Sequence, residues 1–300
     1  MAAYGLAPEI ARSKQHLGEL LRSDYREAIR TADEGLALAI EVGDAFDHSL
    51  CQFYKAWALL HSGQWGEMRG LLDDAIQFAE RNDKRHWKTL FELELAWLYL
   101  HRGSFTDARV LCDRGIAAAK ESGHELTRLM ATILLGHTWL GLEDAEQASN
   151  CFEEIVDWTS RTRVLMDWIW EMPLRLGLAE LGIKRKDYTS ARQNAERLLD
   201  AAAPSGEKTY MALAHVVLGE SHLVRKEMAD AQRHIRKASE IVESADLPLA
   251  AWRAHGAAAA LFEAQNKKKP AEESRRRGQA IRDRLLERGS LVQSRNNARS

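Results

Sequence analysis

The sequence predicts an all-α fold, a right-handed α-solenoid of about seven helical hairpins, and three observations carry that expectation. Mostly small residues recur at a fixed step: Ala28, Met68, Ala108 and Ala148 lie 40 residues apart, Ala191 follows after 43, Ala231 after 40 and Ser274 after 43. Three residues before each stands Tyr25, Trp65, Phe105, Ala145, Tyr188, Met228 or Ala271, and a turn precedes most of them. Within each unit the apolar residues follow helical spacing, in a chain rich in Ala and Leu with only 5 Pro. Self-similarity at such a period marks one supersecondary unit stacked on copies of itself around a continuous core.

The units follow in order. Leu17-Gly18 stands two residues nearer its turn than the later units would place it, which reads as an imperfect N-terminal cap or as the stump of a longer parent. Ser23-Asp24 then turns the chain into a helix from Tyr25 that stops at Gly43. The second hairpin turns at Gly63-Gln64 and stops at Asn82. In the third, Trp87 to Gly103 is apolar on more than one face, whereas Ser104 to Gly123 is amphipathic, with Gly123 placed as a C-terminal cap. The first helix of each pair is therefore packed on both sides and the second turns one face outward. The fourth hairpin turns at Glu143-Asp144. The 43-residue step that follows contains Pro173, which begins or kinks a helix because it has no N–H to donate. Trp158, Trp168 and Trp170 crowd this join and read as the plug of an altered interface. Lys186-Asp187 turns the fifth hairpin, and two more complete the array. Residues 1–263 are expected to form the superhelical array and 264–300 a basic capping helix with a disordered tail.

Composition narrows the function. With 45% hydrophobic and 29% charged residues, the chain can bury a sizeable core. The net charge is −2, but residues 264–300 carry 11 Lys/Arg against 4 Asp/Glu. That basic end reads as a solvated cap; the triplets Lys267-Lys268-Lys269 and Arg275-Arg276-Arg277 have no aromatic residues between them to stack on bases, which argues against nucleic acid. Three Cys (Cys51, Cys112, Cys151) with no CxxC pair read as buried thiols, which fits a reducing, cytoplasmic location. The start MAAYGLAPEIARSKQ is not a signal peptide, and no stretch approaches a membrane span. No P-loop, nucleophile elbow, His-Glu-x-x-His or dinucleotide turn is present, so the expectation is a non-enzyme without cofactor or metal. His215 and His222, seven apart, read as packed or surface residues.

Leu95-Ala96 with Tyr99, Gly103 and Phe105, then Ala108, Cys112 and Gly115, follows L-[GA]-x2-Y-x3-G-x-[YF]-x2-A-x3-F-x2-A. Ala56, Ala96, Gly136, Ala179, Gly219 and Gly256 stand where that motif needs a small helix residue. On these positions the chain resembles the tetratricopeptide (TPR) family from residue 4 to about 286. It departs from the family at Gln52, Glu92 and Thr132, which replace a Trp, and in a period longer than the usual 34. Long repeats of this kind are similar to those of MalT-type bacterial regulators, and peptide-sensing Rap-type regulators share them. HEAT repeats have a compatible period but lack both residue columns.

The resemblance implies that the residue after the small position faces the concave groove. That column reads Trp57, Trp97, His137, Glu180 and Glu220, with Phe53 and Leu93 one turn earlier. Either these side chains form a groove that is apolar at one end and acidic at the other, or the indoles pack between neighbouring helices. The groove reading implies a non-catalytic scaffold or sensor module of a bacterial regulatory system, binding a protein or peptide segment with apolar and basic character. The alternative is the sensory part of a transcriptional regulator whose DNA-binding or enzymatic module lies outside this chain.

Overall fold

A computed structural model describes the backbone of residues 17–20, 22–162 and 167–296. Among the described residues there are helices and turns and no strand. After the helical residues 17–20 come α1 (Tyr25–Val42), α2 (Ala45–His61), α3 (Trp65–Arg81), α4 (Arg85–Arg102) and α5 (Phe105–Ser122). They are followed by α6 (Glu125–Gly141), α7 (Ala145–Arg161), α8 (Asp167–Lys184) and α9 (Tyr188–Ala202). The last four are α10 (Lys208–Val224), α11 (Met228–Ser244), α12 (Pro248–Ala264) and α13 (Lys268–Asn296). Each helix packs on its neighbours in sequence, and α2, α4, α6 and α8 also stack on one another, as do α8, α10 and α12.

The 40-residue step is written into the backbone at the turns. Ser23, Gly63, Gly103, Glu143, Lys186, Lys226 and Asn266 all have positive φ, each two residues before a helix begins. A left-handed residue there ends one helix and aims the next back along it. Several turns add a side-chain cap. Asp44 accepts from the N–H groups of Phe46 and Asp47 at 2.8 and 3.0 Å, and Asp144 and Asp187 each accept from a first-turn N–H at 3.0 Å.

The small-residue column is the contact line of the hairpins. Ala28, Met68, Ala108, Ala148, Ala191 and Ala231 are all completely buried. Its last member is Ala271, not the expected Ser274: α13 starts at Lys268, so the final step is again 40, and Ala271 is buried. Gly136 and Gly219 are small for a packing reason, since a Cβ on either would lie 2.5 Å from Phe152 or Ile235. Gly256, assigned to the same column, is exposed with nothing within 4 Å of where its Cβ would be. The step of 40 from Gly219 leads instead to the buried Ala259.

The helix stop assigned to Asn82 stands, since Asn82 caps α3 and Asp83 after it carries the positive φ of the turn. Pro173 sits inside α8, where its missing N–H leaves one intrahelical bond unmade. Trp170 is buried at this join with Phe152 and Leu174, and Arg128 lies 4.4 Å over the Trp158 ring, whereas the Trp168 side chain lies outside the described residues. The segment read as cap and tail carries α13, whose arginines are engaged locally: Arg275 with Glu263, and Arg276 and Arg277 with Glu273.

The solenoid also closes on itself. Ser23 Oγ and Tyr25 Oη each donate to Glu207 at 2.7 Å, and Tyr25 Oη lies 2.6 Å from Thr209 Oγ1. The Lys208 N–H donates back to Ser23 Oγ at 2.7 Å. A second contact is apolar and tight: a Cβ on Gly63 would lie 2.4 Å from Leu285 and 3.2 Å from Pro248. The turns of the first two hairpins thus touch the sixth and seventh.

Candidate functional site

Closure leaves a cavity of about 520 Å³ on the inner face, walled mainly by the first helices of the hairpins, α2, α4, α6, α8, α10 and α12. Trp97, His137, Glu180 and Glu220 of the expected column line it together, joined by His61, His101, Tyr210 and Arg253. Trp97 is 9% exposed, so the indole is mostly packed although it borders the cavity. Its ring stacks on His101 at 6.0 Å and meets His137 at 5.5 Å. Trp57 and Phe53 do not reach this cavity. They border a narrow space of about 20 Å³ beside Tyr210 and Glu207. Leu93 is absent from both walls; it is 1% exposed and fills the space beside Gly115 and Ala131.

The polar side chains of the wall are organised around Arg253. Its Nη1 lies 2.5 Å from Glu180 Oε1, and the His137 Nδ1 stands 3.7 Å from Glu180 Oε2. The other ring nitrogen of His137 lies 2.9 Å from the Pro173 carbonyl. A carbonyl only accepts, so His137 Nε2 carries a proton. Burial works against the Glu180 charge, but Arg253 and His137 overcome it and hold the carboxyl down to about 2. Glu220 differs. Burial pushes its carboxyl up, Arg253 offsets this in part, and the nearby Glu180 charge adds to the rise. His61 and His101 are both pushed down by burial, and His101 further by the neighbouring His61 and His137, so these imidazoles are neutral near pH 7.

No family model and no curated protein matches the chain. Solved structures do. A Rap protein complexed with competence and sporulation factor superimposes with a TM-score of 0.73 at 16% identity, covering 95% of this chain and 77% of that one. The apo form of RapI gives 0.61 at 14%, covering 94% and 100%. NprR in complex with its cognate peptide NprX gives 0.54 at 13%, covering 95% and 82%. The fold is a TPR-like α-solenoid.

In this TPR-like frame the extra wall residues were partly visible beforehand. His61 and His101 are one 40-residue step apart and one turn beyond Trp57 and Trp97, so the same register contains them. Tyr210 had no such signal, because closure of the solenoid brings it in. The pair His215 and His222 is joined by His234 of α11: the Nδ1 atoms of His215 and His234 are 3.0 Å apart, and the His222 and His234 rings stack at 5.5 Å. Among the described residues no group of three or more His, Cys, Asp or Glu is arranged to hold a metal ion. No described helix is long and apolar enough to cross a membrane.

Proposed function

We propose that this chain is a non-catalytic, peptide-sensing scaffold of a bacterial regulatory system, taking a short segment of apolar and basic character into its cavity. One observation carries the reading: Trp97, His137, Glu180 and Glu220, from four successive hairpins, meet on one cavity of about 520 Å³. That is the size range of pre-formed ligand sites, and the wall mixes aromatic surface with a few placed polar groups. Glu180 is committed to Arg253, so a basic group of the ligand would meet Glu220. Two of the structures that share the fold hold competence and sporulation factor and the peptide NprX, which supports the same use here.

Affinity selection from a random hexapeptide library tests this. Enrichment of peptides with apolar residues and one Lys or Arg is expected, with affinity for Trp97→Ala weaker by about 2 kcal/mol. Melting curves and circular dichroism on the same variant separate lost contact from lost fold. Equal affinity for wild type and a folded Trp97→Ala would sink the groove reading.

A further inference from the structure

The ring of His137 is held in one orientation on the cavity wall, and one of its nitrogens is left over. Nε2 donates to the Pro173 carbonyl at 2.9 Å, which fixes the proton of a neutral ring on that nitrogen and leaves the lone pair on Nδ1. The rings of Trp97 and Phe152 each lie 5.5 Å from it between centroids, and its side chain is 7% exposed, so it has little room to turn. Nδ1 stands 3.7 Å from Glu180 Oε2, too far for a hydrogen bond. Arg253 takes up the charge of Glu180 but only one of its oxygens, Oε1. Both His137 and Glu180 line the main cavity. Among the described residues neither Nδ1 nor Oε2 has a hydrogen-bond partner, and neither atom is fully buried. Two acceptors thus stand side by side on the wall, one from α6 and one from α8.

A proton on Nδ1 would close that gap from the protein's side; a ligand N–H closes it from the cavity's side. A nitrogen about 2.9 Å from both atoms would see them about 80° apart, which suits the tetrahedral N–H bonds of an ammonium better than the planar fork of a guanidinium. Charge points the same way. Of the carboxylates on the wall, Glu143 is paired with Lys184 and Glu180 with Arg253, whereas Glu220 has no ion pair among the described residues. With His61 and His101 neutral, the wall carries one acid in excess. We propose that His137 Nδ1 and Glu180 Oε2 form a subsite for a primary ammonium of the ligand, with Glu220 supplying the balancing charge. This rests on the cavity being a ligand site. The ammonium comes from the N-terminus of a peptide or from a lysine side chain, since both present the same three N–H donors. Trp97 and Trp252, also on the wall, offer a competing way to hold a cation, on an indole face without hydrogen bonds.

Three small probes test this: n-butylammonium, n-butyltrimethylammonium, which keeps the charge without N–H donors, and 1-butanol, which lacks the charge. The readouts are probe affinity and the imidazole nitrogen resonances of the 11 His, with His137 assigned from a His137→Gln variant. In the wild type n-butylammonium should shift His137 Nδ1, leave it without a proton, and bind at least about tenfold tighter than either other probe. His137→Gln keeps a donor for the Pro173 carbonyl but has no acceptor at the Nδ1 position, so it should lose the preference for n-butylammonium over the trimethyl probe. Glu220→Gln should weaken both cations alike and keep that preference. The wild-type measurements need no variant, so a poorly folding His137→Gln would not shield the idea. Trimethylammonium binding as tight as that of n-butylammonium would overturn the subsite in favour of the indole faces and leave the cavity standing as a cation site. A doubly protonated His137 in the complex would overturn it too, as would loss of the preference in Glu220→Gln while His137→Gln retains it. Leucinamide and Nα-acetyl-lysinamide separate the two sources: the tighter of them assigns the ammonium to a peptide N-terminus or to a lysine side chain. Failure of every ammonium probe to shift His137 would overturn the subsite, while the hexapeptide selection decides separately whether the cavity binds peptides.

Discussion

Glu94 makes a sharp prediction about stability. Its carboxyl is buried without a partner, and burial pushes it up to about 8 from an ordinary 4.5. Below about pH 4.5 folded and unfolded chains both hold the proton, and the residue costs only its unmade hydrogen bonds. Between about 4.5 and about 8 the unfolded chain gives the proton up while the folded chain keeps it. Stability then falls with rising pH, by about 1.4 kcal/mol per unit. Above about 8 both states are ionised and the loss levels off at no more than about 5 kcal/mol. Glu94→Leu removes the carboxyl and keeps a similar apolar volume. Its advantage over wild type should be small at about pH 4 and grow to several kcal/mol at about pH 8, which is roughly 5–10 °C in melting temperature for a chain of this size. Comparing two proteins at each pH matters, because the neutral His61 and His101 impose the opposite trend on both. Their folded pKa values lie below the ordinary imidazole range, so they weaken the fold as pH drops below about 6.5. A melting-temperature difference that stays constant from about pH 4 to about pH 8 would show that Glu94 is ionised throughout and would refute the reasoning.

Three further outcomes follow from the geometry. Ala108→Arg places a long cation at a completely buried hairpin contact and should cost at least about 2–3 kcal/mol, read by chemical denaturation; an unchanged midpoint would mean that the column faces solvent. Glu180→Lys sets a second cation against Arg253, so it should destabilise by about 1–3 kcal/mol in contrast to a freely solvated carboxylate; because the wild-type carboxyl is held down to about 2, its share of stability should persist above about pH 4.5 and fade as pH drops toward 2. Tyr25→Phe removes one of the donors to Glu207 and should cost about 1–2 kcal/mol, with faster amide hydrogen exchange at residues 22–29 and 208–213; unchanged exchange there would mean that the contact does not hold the ends together.

The repeats were legible because their cause is local. A left-handed turn residue, an aromatic or long residue opening the helix and a small residue three positions later all sit within one hairpin. Repetition then makes the pattern visible above the variation of single residues. The slips occurred where that local signal weakens. In the last hairpin Lys268 opens the helix with no aromatic side chain, so the column was carried three residues too far, to Ser274. Gly256 looked like a packing glycine, but its position on α12 faces outward. The groove column was half legible. It placed Trp97, His137, Glu180 and Glu220 on one wall, yet it could not separate Leu93, which the same helix turns into the contact with Gly115.

What the repeat could not announce is closure. A solenoid has nearest-neighbour contacts, and its stability is in the first instance a sum over adjacent units. Contacts such as Tyr25 to Glu207, 182 residues apart, belong to no period and leave no spacing in the sequence. They nevertheless change what the chain can do. Thr209 and Tyr210 belong to the seam and line the cavity, and His61 lies against both Tyr25 and Tyr210. An occupant of the cavity therefore touches the residues that hold the two ends of the array together. Any difference in its contact with the closed and opened forms must shift the balance between them by the same free energy. An open superhelix would spread that effect along its length, whereas a closed one concentrates it at Ser23, Tyr25 and Glu207. The side chains that bound the cavity and those that close the solenoid are thus coupled through Thr209, Tyr210 and His61. Weakening the seam with Tyr25→Phe should accordingly alter ligand exchange even though Tyr25 itself lies outside the cavity wall.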